Sequence, residues 1–240
     1  MNQFDSTIIH FCNSFAHQSW TFDTLVELVE ETNLLKGGVI LGLFWWVWFR
    51  EDEAQAKKRE IVLFAFVSSI SALLLGRMLS LAFPFRERPA WNPVLHFRVP
   101  YGALSNPISW NSIPSDHAVL FFCLATSLWF VSRRLGILAF LHAIVVVCFP
   151  RIYLGYHYPT DLLAGAVVGT AMAFTCKFTK LRESVGRIAF HWLAWNKASF
   201  YAAAFLLTFE VSELFTSSLM IEGYVRHAVR GLLLVHYAKS

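Results

Sequence analysis

Apolar residues fill six stretches of the chain, at 34–49, 60–84, 116–131, 135–149, 160–176 and 199–216, with polar segments between them. A helix needs about 20 apolar residues to cross a hydrocarbon core ~30 Å thick. Several stretches fall a little short, and flanking aromatic residues extend them into the interface. In lipid every backbone polar group must be satisfied internally, so such stretches predict helices. The pattern therefore predicts an all-α, polytopic membrane helix bundle with about six transmembrane helices and surface-lying terminal helices. Segment 1–33 is too polar to span. Its Ile8, Ile9, Phe11, Phe15, Phe22, Leu25, Val26 and Val29 predict amphipathic helices along the membrane surface. The tail 219–240 reads the same way, with Arg226 and Arg230 on its polar side. No internal repeat, low-complexity tract or Gly/Ser linker divides residues 1–240, so one domain is expected.

Composition agrees with the pattern. Hydrophobic residues make up 56% and charged residues 15%, against about 45–50% and about 25% in soluble domains. The first residues lack the basic region of a cleavable signal peptide, so the first hydrophobic segment is expected to stay as a membrane helix. The net charge of +4 does not point to nucleic acid, because the basic residues cluster in loops. Arg50, Lys57, Lys58 and Arg59 follow the first stretch, and Arg133 and Arg134 follow the third. Lys177, Lys180, Arg182, Arg187 and Lys197 follow the fifth. Residues 1–33 hold no Lys or Arg but five carboxylates. The positive-inside rule places those basic loops in the cytoplasm, and the alternate loops on the extracytoplasmic side. Cys12, Cys123, Cys148 and Cys176 are far apart and read as small buried hydrophobes.

Three polar islands lie in those alternate loops. The last runs from Arg151 to Asp161 through His157. Ionisable residues at a membrane are costly and mark functional sites. Pro159 suits the first position of a helix, which puts Asp161 in its first turn. From there its carboxylate can accept Nδ1–H of His157, leaving Nε2 as a lone-pair nucleophile. Arg151 offers a planar fork for phosphate oxygens. In the middle island, Ser115 can cap the helix that follows, and His117 in its first turn is a candidate general acid. Asp116 reads as a complement to the helix dipole. The first island carries Arg86 and Arg88 before Pro89. Their shared membrane face lifts these residues above topological anchors.

The combination resembles the type-2 phosphatidic acid phosphatase superfamily, whose signature is Lys-x6-Arg-Pro, Pro-Ser-Gly-His and Ser-Arg-x5-His-x3-Asp. This chain reads Leu81-x6-Arg88-Pro89, Pro114-Ser115-Asp116-His117 and Pro150-Arg151-x5-His157-x3-Asp161, with the motif-bearing core at 60–176. Pro-Ser-Asp-His with the following Ala-Val-Leu-Phe-Phe resembles the bacitracin-resistance-type undecaprenyl-pyrophosphate phosphatases. The resemblance implies that His157 attacks phosphorus, Asp161 orients it, and His117 protonates the leaving group. It implies that Arg88, Arg151 and Ser115 bind the phosphoryl oxygens, with no metal and no other cofactor. The implied partners are a lipid phosphate or diphosphate and membrane lipids, at an integral membrane site facing the extracytoplasmic side.

The motif lysine is Leu81 here, and either Arg77 or Arg86 is a candidate replacement. Arg86 is favoured because it lies at the surface with Arg88. Pro150 stands where the signature has serine. His142, Glu210 and Glu213 read as packing or helix-end residues, and Trp91, Phe97, Tyr101 and Trp110 as an interfacial belt flanking a lipid entry gap. Besides hydrolysis of a polyprenyl diphosphate, the residues leave open a phosphatidylglycerophosphate, phosphatidate or lipid A phosphatase and a lipid phosphotransferase. An anion transporter or channel is the non-enzymatic alternative, but it predicts ionisable residues along several spans, whereas here they gather at one face.

Overall fold

The computed structural model describes residues 2–103 and 111–214, and among these all regular structure is helical. The helices are α1 (Gln3–Asn13), α2 (Trp20–Glu31), α3 (Leu34–Phe49), α4 (Gln55–Ala82), α5 (Asp116–Val131), α6 (Arg133–Tyr153), α7 (Pro159–Lys177), α8 (Thr179–Trp195) and α9 (Lys197–Ser212). The expected tail helix at 219–240, the end of the last stretch and Trp110 lie outside the described residues.

Each apolar stretch forms a helix over its described residues, and among these residues only α4, α6 and α7 are both long and apolar enough to cross a membrane alone. The helices α2 and α3 together make a fourth candidate, bent by 66°. The all-helical membrane bundle expected from the sequence is what the structure shows, with three or four candidate spans among the described residues. The bend falls where Thr32 leaves the helical conformation between α2 and α3.

Helix α5 is the axle of the bundle. Ala118, Val119, Leu120, Phe121, Cys123, Leu124, Ala125 and Leu128 are each at most 1% exposed, as expected for a helix that is apolar all round. Phe44, Val47 and Trp48 of α3 and Val62, Ala65 and Phe66 of α4 share one core with Leu120, Leu124 and Leu128. Close approach of α7 to α5 depends on two glycines. A Cβ on Gly165 would lie 2.6 Å from the Ser115 carbonyl, and one on Gly169 only 2.1 Å from that of Val119. Small residues at such crossings let membrane helices meet backbone to backbone. The four cysteines are free and buried.

This crossing sets the N-termini of α5 and α7 side by side, and the Ser115 N–H donates to the Asp161 carbonyl at 3.1 Å. The Ala90 N–H donates to the Gly155 carbonyl at 2.9 Å. Gly155 has φ +74°, and a Cβ there would meet the Phe97 ring at 2.6 Å. Three motifs far apart in sequence thus meet through main-chain hydrogen bonds.

Candidate active site

His157 sits in the turn between α6 and α7, 4% exposed. Its Nδ1 lies 2.9 Å from the Ser112 carbonyl, and its Nε2 lies 3.1 Å from Nη1 of Arg88. A carbonyl only accepts and a guanidinium only donates, so the proton belongs on Nδ1 and the lone pair on Nε2. Burial, outweighing Asp161, brings the His157 imidazole down to about 4, with Arg88 and Arg151 pushing the same way. It is neutral at physiological pH.

Asp161 is placed differently from the sequence expectation. Its Oδ2 is 3.7 Å from His157 Nδ1, beyond hydrogen-bond distance. The Nδ1 proton goes to Ser112 instead. Asp161 Oδ2 accepts from Ser112 Oγ at 2.5 Å and from the Tyr158 N–H at 2.9 Å. Asp161 therefore orients the imidazole through Ser112, a residue that no motif singled out.

Arg88 and Arg151 are each 8% exposed. Arg88 Nη1 also donates to the Tyr156 carbonyl at 2.7 Å. Burial and then the like charge of Arg151 bring Arg88 down to about 10, so it remains a cation at neutral pH. Arg151 Nη2 donates to Nε2 of His117 at 2.7 Å and to Glu30. His117 Nε2 accepts there, so it carries no proton on that atom in this arrangement. Ser115 stands at the cap position of α5, yet its hydroxyl makes no capping bond. Its buried Oγ, with the Nε atoms of Arg88 and Arg151, finds no partner among the described residues. Unpaired buried polar atoms are rare and costly. Here, three belong to the motif residues Arg88, Arg151 and Ser115.

The remaining cations divide into two groups. Arg86, favoured above as the lysine replacement, is engaged elsewhere. Its Nη1 donates to Asp161 Oδ1 at 2.6 Å and its Nη2 to Asp5 Oδ2 at 2.6 Å, with its plane over the Tyr158 ring. Two buried carboxylates and an aromatic face leave it supporting Asp161. Arg77 Nη2 pairs with Asp116 Oδ2 at 2.7 Å, which gives Asp116 a partner beyond the helix dipole. Sequence reasoning missed Lys36. It is 5% exposed, with Nζ 3.6 Å from the Glu30 carboxylate that also holds Arg151. It lines a cavity of about 440 Å³ with His117, Arg151 and Tyr156. A lone lysine inside an apolar stretch was the available signal.

Other residues have plainer roles. His142 Nε2 bonds to the Leu35 carbonyl at 2.8 Å, and Trp91 stacks on Tyr156. Tyr101 stacks on His17, and Glu213 lines the same cavity as Lys36.

The chain is 24% identical over 162 residues to a Bacillus subtilis protein named undecaprenyl-diphosphatase BcrC, covering 68% of this chain and 77% of that one. It is 30% identical over 121 residues to a Bacillus licheniformis protein named bacitracin transport permease protein BcrC, covering 49% and 54%. It is 27% identical over 175 residues to the Escherichia coli lipid A 1-diphosphate synthase, covering 68% and 70%. Similar solved structures include Aquifex aeolicus LpxE, with TM-score 0.47, 21% identity and coverage of 70% and 91%. Another is a transmembrane PAP2-type phosphatidylglycerolphosphate phosphatase of Bacillus subtilis, with TM-score 0.48, 21% identity and coverage of 74% and 85%. The profile of the PAP2 superfamily matches residues 61–183, the stretch that holds all three motifs, and the chain is an integral membrane member of that superfamily of lipid phosphate phosphatases.

Proposed function

We propose that the protein is a metal-independent phosphatase acting on a lipid-linked diphosphate or monophosphate, with undecaprenyl diphosphate the first candidate, at the extracytoplasmic face. One observation carries this reading: Arg88 Nη1 lies 3.1 Å from the lone-pair nitrogen of a neutral His157, and the motif residues Arg88, Arg151 and Ser115 each keep a buried polar atom without a partner among the described residues. That is a cradle for phosphoryl oxygens beside a nucleophile. The similarity to a protein named undecaprenyl-diphosphatase supports the polyprenyl choice, and the Lys and Arg bias of the loops supports the orientation.

Substrate oxygens draw the Arg88 and Arg151 forks onto themselves, which releases Nε2 of both histidines. His157 Nε2 forms a bond to phosphorus as the bond to the leaving oxygen breaks. His117, once released from Arg151, takes a proton from solvent on Nε2 and gives it to that oxygen. Water then attacks the phosphohistidine, its proton passes back to Nε2 of His117, the P–N bond breaks, and phosphate leaves. Arg88, Arg151 and Lys36 against Glu30 leave surplus positive charge to balance the transferring group.

The test is phosphate release by purified protein from a panel of lipid diphosphates and monophosphates in detergent with EDTA. Release should persist with EDTA and vanish in His157→Ala. Equal release by that variant would overturn the phosphohistidine reading. The similarity to a protein named a lipid A 1-diphosphate synthase favours a second reading, transfer to an acceptor lipid instead of water. Product analysis with and without acceptor lipid separates the two.

A further inference from the structure

Asp5 lies in the first turn of α1, in a segment where surface helices were expected, yet it is 0% exposed. A carboxylate is rarely buried unless it is paired. Asn2 caps α1 by accepting from the Asp5 N–H at 2.7 Å. The Asp5 carboxylate does not turn back to close that cap. It crosses to the start of α7, where Oδ1 accepts from the Thr160 N–H at 2.9 Å and Oδ2 from Thr160 Oγ1 at 2.7 Å. The Thr160 N–H is one of the donors that a helix start leaves without an intrahelical partner. Asp5 thus caps α7 from another part of the chain. Its Oδ2 also accepts from Arg86 Nη2 at 2.6 Å, and the same guanidinium donates through Nη1 to Asp161 Oδ1 at 2.6 Å.

We propose that Asp5 is a positioning residue for the candidate catalytic carboxylate, acting through Arg86, and that α1 is therefore part of the active-site scaffold. The proposal rests on the assignment of Asp161 as the group that orients His157. Three acceptors, one oxygen on each of the two carboxylates and Thr160 Oγ1 at 2.8 Å, fix the Arg86 fork, and Arg86 fixes one oxygen of Asp161. The other oxygen holds Ser112, which in turn touches His157. Without the Asp5 charge, Arg86 is anchored at one end only and can draw Asp161 away from Ser112. A small displacement of a positioning group is enough to slow chemistry about 10- to 100-fold. Asp5 is fully buried beneath Arg86 and Thr160, so binding should be largely spared.

The test compares Asp5→Asn, Arg86→Gln, the double variant and His157→Ala in detergent-purified full-length protein. Substrates are a short-chain polyprenyl diphosphate and the corresponding monophosphate. Asp5→Asn should lower kcat about 10- to 100-fold on both substrates with KM within about threefold of the parent. Because Asp5 acts through Arg86, the double variant should be no slower than Arg86→Gln alone. A parent-like kcat in Asp5→Asn overturns the proposal, as do multiplicative losses in the double variant. A loss that falls mainly on KM overturns it too. If Asp5→Asn does not yield folded protein, Asp5→Glu replaces it: this retains the charge at a shifted reach, and an intermediate kcat with unchanged KM is expected. A parent-like kcat in Asp5→Glu also counts against the proposal. An active His157→Ala would instead remove the underlying assignment, whatever Asp5 does.

Discussion

The motif-bearing core and the N-terminal pair α1–α2 both bury ionisable side chains, but they do so by different routes. In the core, Arg88, Arg151, His157 and Asp161 sit at fixed spacings in chain-local turns, and helix starts place them. In the N-terminal pair, Asp5, Asp23 and Glu30 are buried at 0%, 0% and 6% exposure. Each reaches a different part of the core. Asp5 meets Arg86 and Thr160, Asp23 accepts from the Tyr153 hydroxyl and the Tyr101 N–H, and Glu30 holds Arg151 and Lys36. The groups proposed to touch substrate are written as a motif. Chemistry that holds those groups in place is written only as a surplus of carboxylates over bases.

The sharpest way to break this division is at Arg88, the cation in contact with the candidate nucleophile. Arg88→Lys keeps the charge but loses the planar fork, and kcat/KM should fall about 100- to 1,000-fold. A loss under about tenfold in a steady-state assay would demote Arg88 to the supporting group.

Lys36 belongs to the N-terminal half, yet it lines the cavity beside His117. Lys36→Met should lower turnover about 10- to 100-fold if it supplies the charge missing at Leu81. A parent-like rate would return that charge to the core arginines alone.

The pH profile examines the core by itself. His157 must be neutral to attack, and its folded value is lowered to about 4. Protonation therefore removes the nucleophile as pH falls through about 4, and kcat/KM should hold at pH 5–6 before dropping on the acid side. An acid limb near 6.5 would mean that the imidazole is solvated like a surface histidine.

The helix crossing beneath the site is the next target. Gly169→Ala puts a methyl 2.1 Å from the Val119 carbonyl. It should cost about 1–3 kcal/mol in detergent stability, with a smaller loss of activity. Unchanged thermal stability would show that α7 can slide on α5 without disturbing the site. The smallest effect is expected at Arg77, whose side chain is 45% exposed and paired with Asp116. Arg77→Gln should change kcat/KM by less than about threefold, and a larger change would make it the lysine replacement after all.

Much of the fold was legible because apolar runs in lipid leave the backbone little choice but helix. Pro159 and Asp161 announced the start of α7 for the same local reason, through a fixed φ and a side chain within reach of its own helix end. The Asp161–Ser112–His157 linkage was not legible, because Ser112 lies 45 residues from His157 and nothing in its own neighbourhood marks it. Arg86 was misjudged because its partner Asp5 lies 81 residues away, and only docking of α1 brings the two charges together.

By itself, the sequence determined a helical membrane bundle and three polar islands at helix ends. Local rules suffice for these, since helix capping, hydrophobic length and charge bias act over a few residues. Only the tertiary structure decided which oxygen accepts the His157 proton, which cations remain for a phosphate, and that the N-terminal helix braces the site. These depend on buried charges choosing partners across the bundle, and that choice is fixed by packing geometry rather than by spacing along the chain.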